Sequence, residues 1–539
     1  MYLHLFEILA SYSCVSQYKP SADSLAGRSW YTFLASSMKI WIAVLLILTA
    51  LAYVGFFLSL SNPPFTDAPN HFARAVIMNS LWFDAHSPYR AMFSASRSFV
   101  PYMLPDLGFI VLLRQLGAER AYPMWSMLSM ISLALGVSVY GWQLLETSWA
   151  KAAALLCSWY FATNYLFILG FFSFQWGLAA AFVALGALEA WRRARSRWWI
   201  ALYALACFVC YGAHMACFAI LAGLVGATGL ARIFRKEQTA LRLALELLPF
   251  VVLIAYHLPA VPTRPDVASR TIGSIIEDKF GHLFGAMFVR QSYIIDRPML
   301  VPFGAIVVAA IWFGIGRRVD LRRHWQLVLV SGLGAALYFA LPSGLGAVSY
   351  VDQRALPFLF VPALMLALRI FESASPSRRQ IGLLIAACFL LVAVNLGSLA
   401  RFLPRQSDQV AEYRRAIAAI PEGLVVLSID TQTRDGNTWP MRHAGTFYAS
   451  DRKGYTPYLF SQQNASGPSG YFLDLRHVYE PGQEWYRREE TPDWERVAAT
   501  YDYVIITKPW RPERLDLSRL ERYYENSEAT VFRVRRGLR

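Results

Sequence analysis

The sequence predicts a polytopic α-helical membrane protein of about 11 transmembrane helices that ends in a polar α/β domain, and three observations carry that reading. Of 539 residues, 56% are hydrophobic and only 16% are charged, against roughly 25% charged in an ordinary soluble domain; mean hydropathy is +0.35. The apolar residues gather into runs long enough to cross a bilayer as helices, which takes about 20 residues each. Charge is divided unevenly: residues 405–539 hold 20 Lys+Arg and 19 Asp+Glu, which leaves 31 and 17 in residues 1–404. The net charge of +15 therefore sits almost wholly in the apolar part, where excess Lys and Arg mark cytoplasmic loops. A nucleic-acid binder with this basic excess would carry far more charge, clustered on exposed faces, so nucleic acid is not an expected partner.

Residues 1–37 read as a cytoplasmic N-terminal segment. They do not form a signal peptide, because the first long apolar run begins only after Met38 and lacks a small-residue cleavage site. Met38-Lys39-Ile40-Trp41 would itself make a normal start, so the segment before it reads as a dispensable extension or a mis-called start codon.

Residues 38–404 read as the transmembrane domain, with spans at 38–60, 122–145, 152–169, 172–191, 198–213, 215–231, 240–257, 299–316, 325–341, 355–371 and 381–399. The run 98–117 is left out, because Pro101, Pro105, Asp106 and Arg114 interrupt it; it reads as an interfacial helix. With eleven spans and a cytoplasmic N-terminus, the clusters Arg192–Arg197, Arg232–Lys236, Arg317–Arg323 and Arg378–Arg379 all face the cytoplasm. Two long outer loops follow from this, 61–121 and 258–298, and the polar region 405–539 lies outside the cell's inner (plasma) membrane. Five of the six cysteines lie in apolar spans and Cys14 in the N-terminal segment, so no disulfide framework is expected.

Residues 405–539 read as an extracytoplasmic α/β domain. Helical spacing at 408–420 gives way at Pro421-Glu422-Gly423 to a strand at 424–429; a second buried strand is expected at 503–507 and an alternating edge strand at 530–534. The aromatic, Gly- and Pro-rich stretch 446–485 suits either glycan binding or docking on the membrane domain.

The chemistry is expected at the outer face. Ionisable groups avoid the middle of the predicted spans, Glu246 coming nearest, whereas transporters and pumps keep such groups near the midplane. The first outer loop begins Asn62-Pro63-Pro64-Phe65-Thr66-Asp67-Ala68-Pro69-Asn70-His71-Phe72-Ala73-Arg74-Ala75. At helical spacing Asp67, Asn70, His71 and Arg74 share one face; the plain alternative makes Asp67 a helix N-cap and sets Arg74 against lipid phosphate. His214 falls at an outer turn between two apolar helices, and His257 ends the next span; a buried, hydrogen-bonded histidine is the plain reading of each. Arg354 precedes the tenth span, where it suits bidentate phosphate binding or pairing with Asp352. The outer turn Gly170–Gly177, rich in aromatics, fits the interfacial belt better than a sugar pocket.

With its first span, long outer loop carrying the Asp67–Ala75 segment, interfacial helix, many further spans and outer C-terminal domain, the sequence resembles the GT-C superfamily of integral membrane glycosyltransferases. The resemblance covers most of the chain in architecture but only this loop in motif. It implies a polyprenyl-phosphate-linked sugar donor, a glycan, lipid or protein acceptor, and Asp67 as the catalytic carboxylate of an inverting transfer. His71, Arg74, His214 and Arg354 are the candidate substrate-binding residues, with basic side chains meeting the lipid phosphate. No ATP or nucleotide fold is required, and a divalent metal is the cofactor that the resemblance admits; many members have a second acidic residue where this chain has Ala68. Two other classes stay open: a lipid-linked polysaccharide polymerase or ligase, which leans more on arginines in large outer loops, and a non-enzymatic transporter or scaffold.

Overall fold

The computed structural model describes residues 25–97, 99–257, 279, 283, 293–345, 348–431, 438–459, 472–476, 478–481, 486 and 490–536. Most of the outer loop 258–298, much of the aromatic stretch and residues 1–24 of the N-terminal segment lie outside them. The chain forms two compact units, residues 1–47 and 48–539. All packing discussed below lies within the second.

Helices stand at each place where a span is expected. They are α1 (Leu25–Ser59), α4 (Ala118–Leu144), α5 (Ser148–Ala162), α6 (Phe172–Ala194), α7 (Arg197–Ala213), α8 (Met215–Phe234), α9 (Ala240–His257), α10 (Tyr293–Gly316), α11 (Trp325–Ala340), α12 (Leu356–Ser373) and α13 (Arg378–Ala418). Among the described residues six segments are long and apolar enough to cross a membrane: Ile40–Ser59, α4, α6, α8, Gln353–Ser373 and α13. The chain is thus a multi-pass membrane protein, and its packing agrees: Leu205, Phe208, Val251, Val308 and Trp312 point outward, which costs nothing against lipid tails as apolar as leucine. Glu246 is fully buried but paired, Arg192 donating from Nη2 at 2.6 Å and from Nε at 3.1 Å.

Three expectations need correction. Residues 152–169 do not make one helix: α5 stops at Ala162, and Asn164 Oδ1 accepts from the Phe167 N–H at 3.0 Å to start a single turn, Tyr165–Ile168. Such an Asn cap re-aims a chain without breaking its apolar run, so hydropathy does not register it. The strand at 530–534 is not an edge; β8 (Ala529–Val534) pairs on both sides, and β7 (Leu520–Glu525), not foreseen, takes the edge. Finally, the change in composition near residue 405 coincides with no break, since α13 runs unbroken for 41 residues, opened by a Ser377–Gln380 capping box.

The interfacial candidate is α3 (Met103–Leu116), whose 14 residues fall short of the length that a crossing needs. It packs against α2 (Ala68–Phe83), the helix of the first outer loop. β2 (Gly344–Leu345) and β3 (Val348–Ser349) pair antiparallel ahead of α12; beyond α13 the order β4-β6-β8-β7 forms a four-stranded sheet, with β4 (Val426–Ile429) parallel to β6 (Tyr503–Thr507) and the remaining pairs antiparallel. Its core comprises Leu427, Ile429, Val504, Ile506 and Phe532, closed by Val497 of α15 (Trp494–Thr500) and by Tyr501 just after it.

This region is interlocked with the first outer loop. β1 (Phe93–Ala95) pairs antiparallel with β5 (Phe472–Asp474), Tyr89 Oη donates to the carbonyl of Ala449 at 2.7 Å, and Phe72 packs against Phe447 of α14 (Phe447–Arg452). Arg414 of α13 ties the start of the loop to α14, donating to Asn62 Oδ1 at 2.7 Å and to Asp451 Oδ2 at 2.9 Å.

Candidate active site

Asp67 occupies the N-cap position of α2, followed by Pro69 in the first turn, yet its side chain makes no capping hydrogen bond. Proline in the first turn removes an N–H that a cap would otherwise serve. The carboxyl turns instead toward the C-terminal region, where Oδ1 lies 3.4 Å from Nε2 of His443; the two side chains are 16% and 5% exposed. The backbone around Asp67 is tightly held. Its N–H donates to the carbonyl of Leu169 at 2.9 Å, and Gly170, at φ +80°, lets the chains approach so closely that a Cβ there would sit 2.7 Å from the nitrogen of Ala68 and 3.0 Å from that of Asp67.

Burial raises the Asp67 carboxyl to about 7, against the opposing pull of Arg442 and Arg354. Burial, reinforced by Arg442, lowers His443 to about 3, so the imidazole beside the carboxyl is neutral near pH 7.

The expected common face of α2 forms, but each member has its own partner. Asn70 donates from Nδ2 to the carbonyl of Tyr458 at 3.1 Å. Arg74 grips Asp106 of α3 with two bonds, Nε to Oδ2 at 2.7 Å and Nη2 to Oδ1 at 3.0 Å, both side chains being buried. The same Nη2 reaches Nδ1 of His71 at 3.0 Å. A guanidinium only donates, so Nδ1 accepts and the proton of neutral His71 resides on Nε2. Burial, with Arg74 and His443 nearby, holds His71 well below its ordinary range.

His214 and Arg354 meet as well. Arg354 donates from Nη1 to Nε2 of His214 at 3.2 Å, which puts the imidazole proton on Nδ1; that buried nitrogen has no hydrogen-bond partner among the described residues. The ring is wedged edge-on between Tyr102 and Phe174, with centroids at 4.9 and 5.3 Å. Arg354 lies 5.4 Å from the ring of Phe171 and 6.0 Å from that of Phe174. These aromatics of the Gly170–Gly177 turn therefore pack on Arg354 and His214 rather than forming an interfacial belt; hydropathy cannot tell an aromatic facing lipid from one facing a buried cation. Gly177 gives His214 its room, since a Cβ there would lie 2.7 Å from the Cβ of His214. Asp352 is engaged elsewhere, 3.6 Å from Nζ of Lys279, which also donates to the carbonyl of Tyr338 at 2.7 Å.

Two members of this surround have no sequence signal of their own. His443 and Arg442 come from an irregular segment with no motif or periodicity, and only the docking of the C-terminal region on the first loop brings them to Asp67. Among the described residues no group of three or more His, Cys, Asp or Glu side chains is placed to hold a metal ion.

The fold is similar to that of a solved ArnT structure. The structure of ArnT from Cupriavidus metallidurans bound to undecaprenyl phosphate superposes with a TM-score of 0.50 at 12% identity, over 91% of this chain and 97% of that one. The same protein in the apo state matches at 0.44 and 13% identity, over 92% and 98%. An Archaeoglobus fulgidus oligosaccharyltransferase in complex with Zn and sulfate also matches at 0.44 and 13%, over 86% of this chain and 68% of that one. The sequence matches no family model and no curated protein.

Proposed function

We propose that the protein is a glycosyltransferase that moves a sugar from a polyprenyl-phosphate carrier to an acceptor hydroxyl at the extracytoplasmic face of the inner membrane, with inversion. The observation that carries this reading is the state of Asp67: a carboxyl only 16% exposed at the start of a helix, not used to cap it, raised to about 7. A general base works best with a pKa near the working pH, and a capping carboxylate would be held low by the N–H groups it accepts from.

In this reading Asp67 takes the proton of the acceptor hydroxyl while the acceptor oxygen attacks the anomeric carbon from the side opposite the lipid phosphate. The bond from that carbon to the phosphate oxygen breaks, and the phosphate leaves with the electron pair. Arg354 meets the growing negative charge, and the Nδ1–H of His214 offers a second donor. No step is routed through a metal. The likeness in fold to a structure bound to undecaprenyl phosphate supports a lipid-phosphate partner, with the C-terminal region on the outer side together with the loop it grips.

The test is sugar transfer by the purified protein from polyprenyl-phosphate sugars. Asp67→Asn is expected to lose at least about 10²-fold in rate, the usual reach of a positioned base, while remaining folded. Full activity in that variant removes Asp67 from the mechanism and this reading with it.

A further inference from the structure

The contact between Asp67 and His443 links two parts of the chain that composition separates: the first outer loop and the polar C-terminal region. A carboxylate can accept hydrogen bonds on both oxygens, and a base is effective only if one oxygen stays available and correctly aimed. Within the described surroundings Oδ1 faces the imidazole, whose Nε2 lies 3.4 Å away. The other charged or titratable groups acting here are Arg442 on the same segment as His443, Arg354 just before α12, and His71 on α2. The arginines supply charge, whereas the imidazole is the side chain in direct contact with the carboxyl.

The segment that bears His443 is itself fixed. Its flanks Thr438, Met441, Ala444 and Phe447 are buried, Gln406 of α13 donates to Thr438 Oγ1 at 3.0 Å, and Thr446 Oγ1 donates to the carbonyl of His443 at 2.7 Å. A rigid support of this kind is what an orienting group needs to hold its target.

We infer that His443 is a positioning residue supplied by the C-terminal region: its neutral imidazole donates from Nε2 to Oδ1 of Asp67 and leaves Oδ2 to receive the acceptor proton. The inference rests on Asp67 acting as the base. The C-terminal region is then part of the reaction centre, and detaching or displacing it disarms the carboxylate.

The test reads the carboxyl without any sugar. Dicyclohexylcarbodiimide modifies carboxyl groups in apolar surroundings in their protonated form, so labelling of Asp67 in the full-length protein in detergent, followed by peptide mass spectrometry across pH, reports its titration. Asp67→Asn serves as the control for the labelled position. His443→Leu keeps an apolar plug of similar size but removes the donor, and its labelling midpoint is expected to rise by about one pH unit, because the ionised carboxyl loses a hydrogen bond. His443→Gln, which restores an N–H of comparable reach, is expected to stay close to the wild-type midpoint. An unmoved or lowered midpoint in His443→Leu overturns the inference, and so does a full upward shift in His443→Gln, which stands alone if the leucine variant does not fold. A wild-type protein that titrates as expected yet transfers no sugar overturns the transferase reading instead, so the two failures are distinguishable.

Discussion

Arg354 holds His214 by a hydrogen bond of 3.2 Å that joins the start of α12 to the turn between α7 and α8. The bond makes two donors of one unit, a guanidinium and the Nδ1–H of the ring it orients. Arg354→Ala is expected to raise the KM for the lipid-phosphate donor by tenfold or more with a smaller change in kcat. Arg354→Lys is not expected to restore it, because an ammonium lacks the planar fork that both reaches His214 and faces phosphate. Steady-state kinetics with varied donor checks both; unchanged donor affinity in Arg354→Ala counts against the phosphate role.

The pH dependence of transfer follows from Asp67. The base must be ionised, and burial has raised its carboxyl to about 7, so kcat/KM is expected to climb roughly tenfold per unit below pH 7 and to level off above it. His443, lowered to about 3, does not titrate in that window. A profile flat from pH 5 to 8 contradicts the assignment.

Gly170 acts through Asp67. With φ at +80° and a Cβ that would press on the backbone nitrogens of Ala68 and Asp67, Gly170→Ala must move the helix start or strain the turn. A stability loss of about 1–3 kcal/mol is expected, together with a fall in kcat out of proportion to it. Gly223→Ala, a helical position with nothing near its missing Cβ, is the control and is expected to leave kcat unchanged.

The Arg74–Asp106 pair is expected to behave as structure rather than as a phosphate site. Both side chains are buried and doubly bonded, and removing one partner strands the other's charge, typically at a cost of about 3–5 kcal/mol. Arg74→Ala is thus expected to lower the thermal midpoint sharply. The double variant Arg74→Met with Asp106→Leu is expected to recover most of it and to bind donor lipid normally; lost donor binding in a stable double variant would return Arg74 to the phosphate.

The helical placement, the first-loop helix and the polar sheet were legible because hydropathy and periodicity are local properties. Asp67 stood out because its residue type and spacing are visible in a dozen residues. The break at Asn164, the central position of β8 and the role of the aromatics Phe171 and Phe174 were not legible, since each depends on what packs on the far side of the element.

By itself, the sequence determined that this chain lives in a membrane, where its helices lie and which loop carries a carboxylate. Only the tertiary structure decided what that carboxylate is. Its proton affinity depends on burial and on Arg442 and Arg354, groups brought from distant parts of the chain, and electrostatics in a low-dielectric interior is set by distance in space rather than along the sequence.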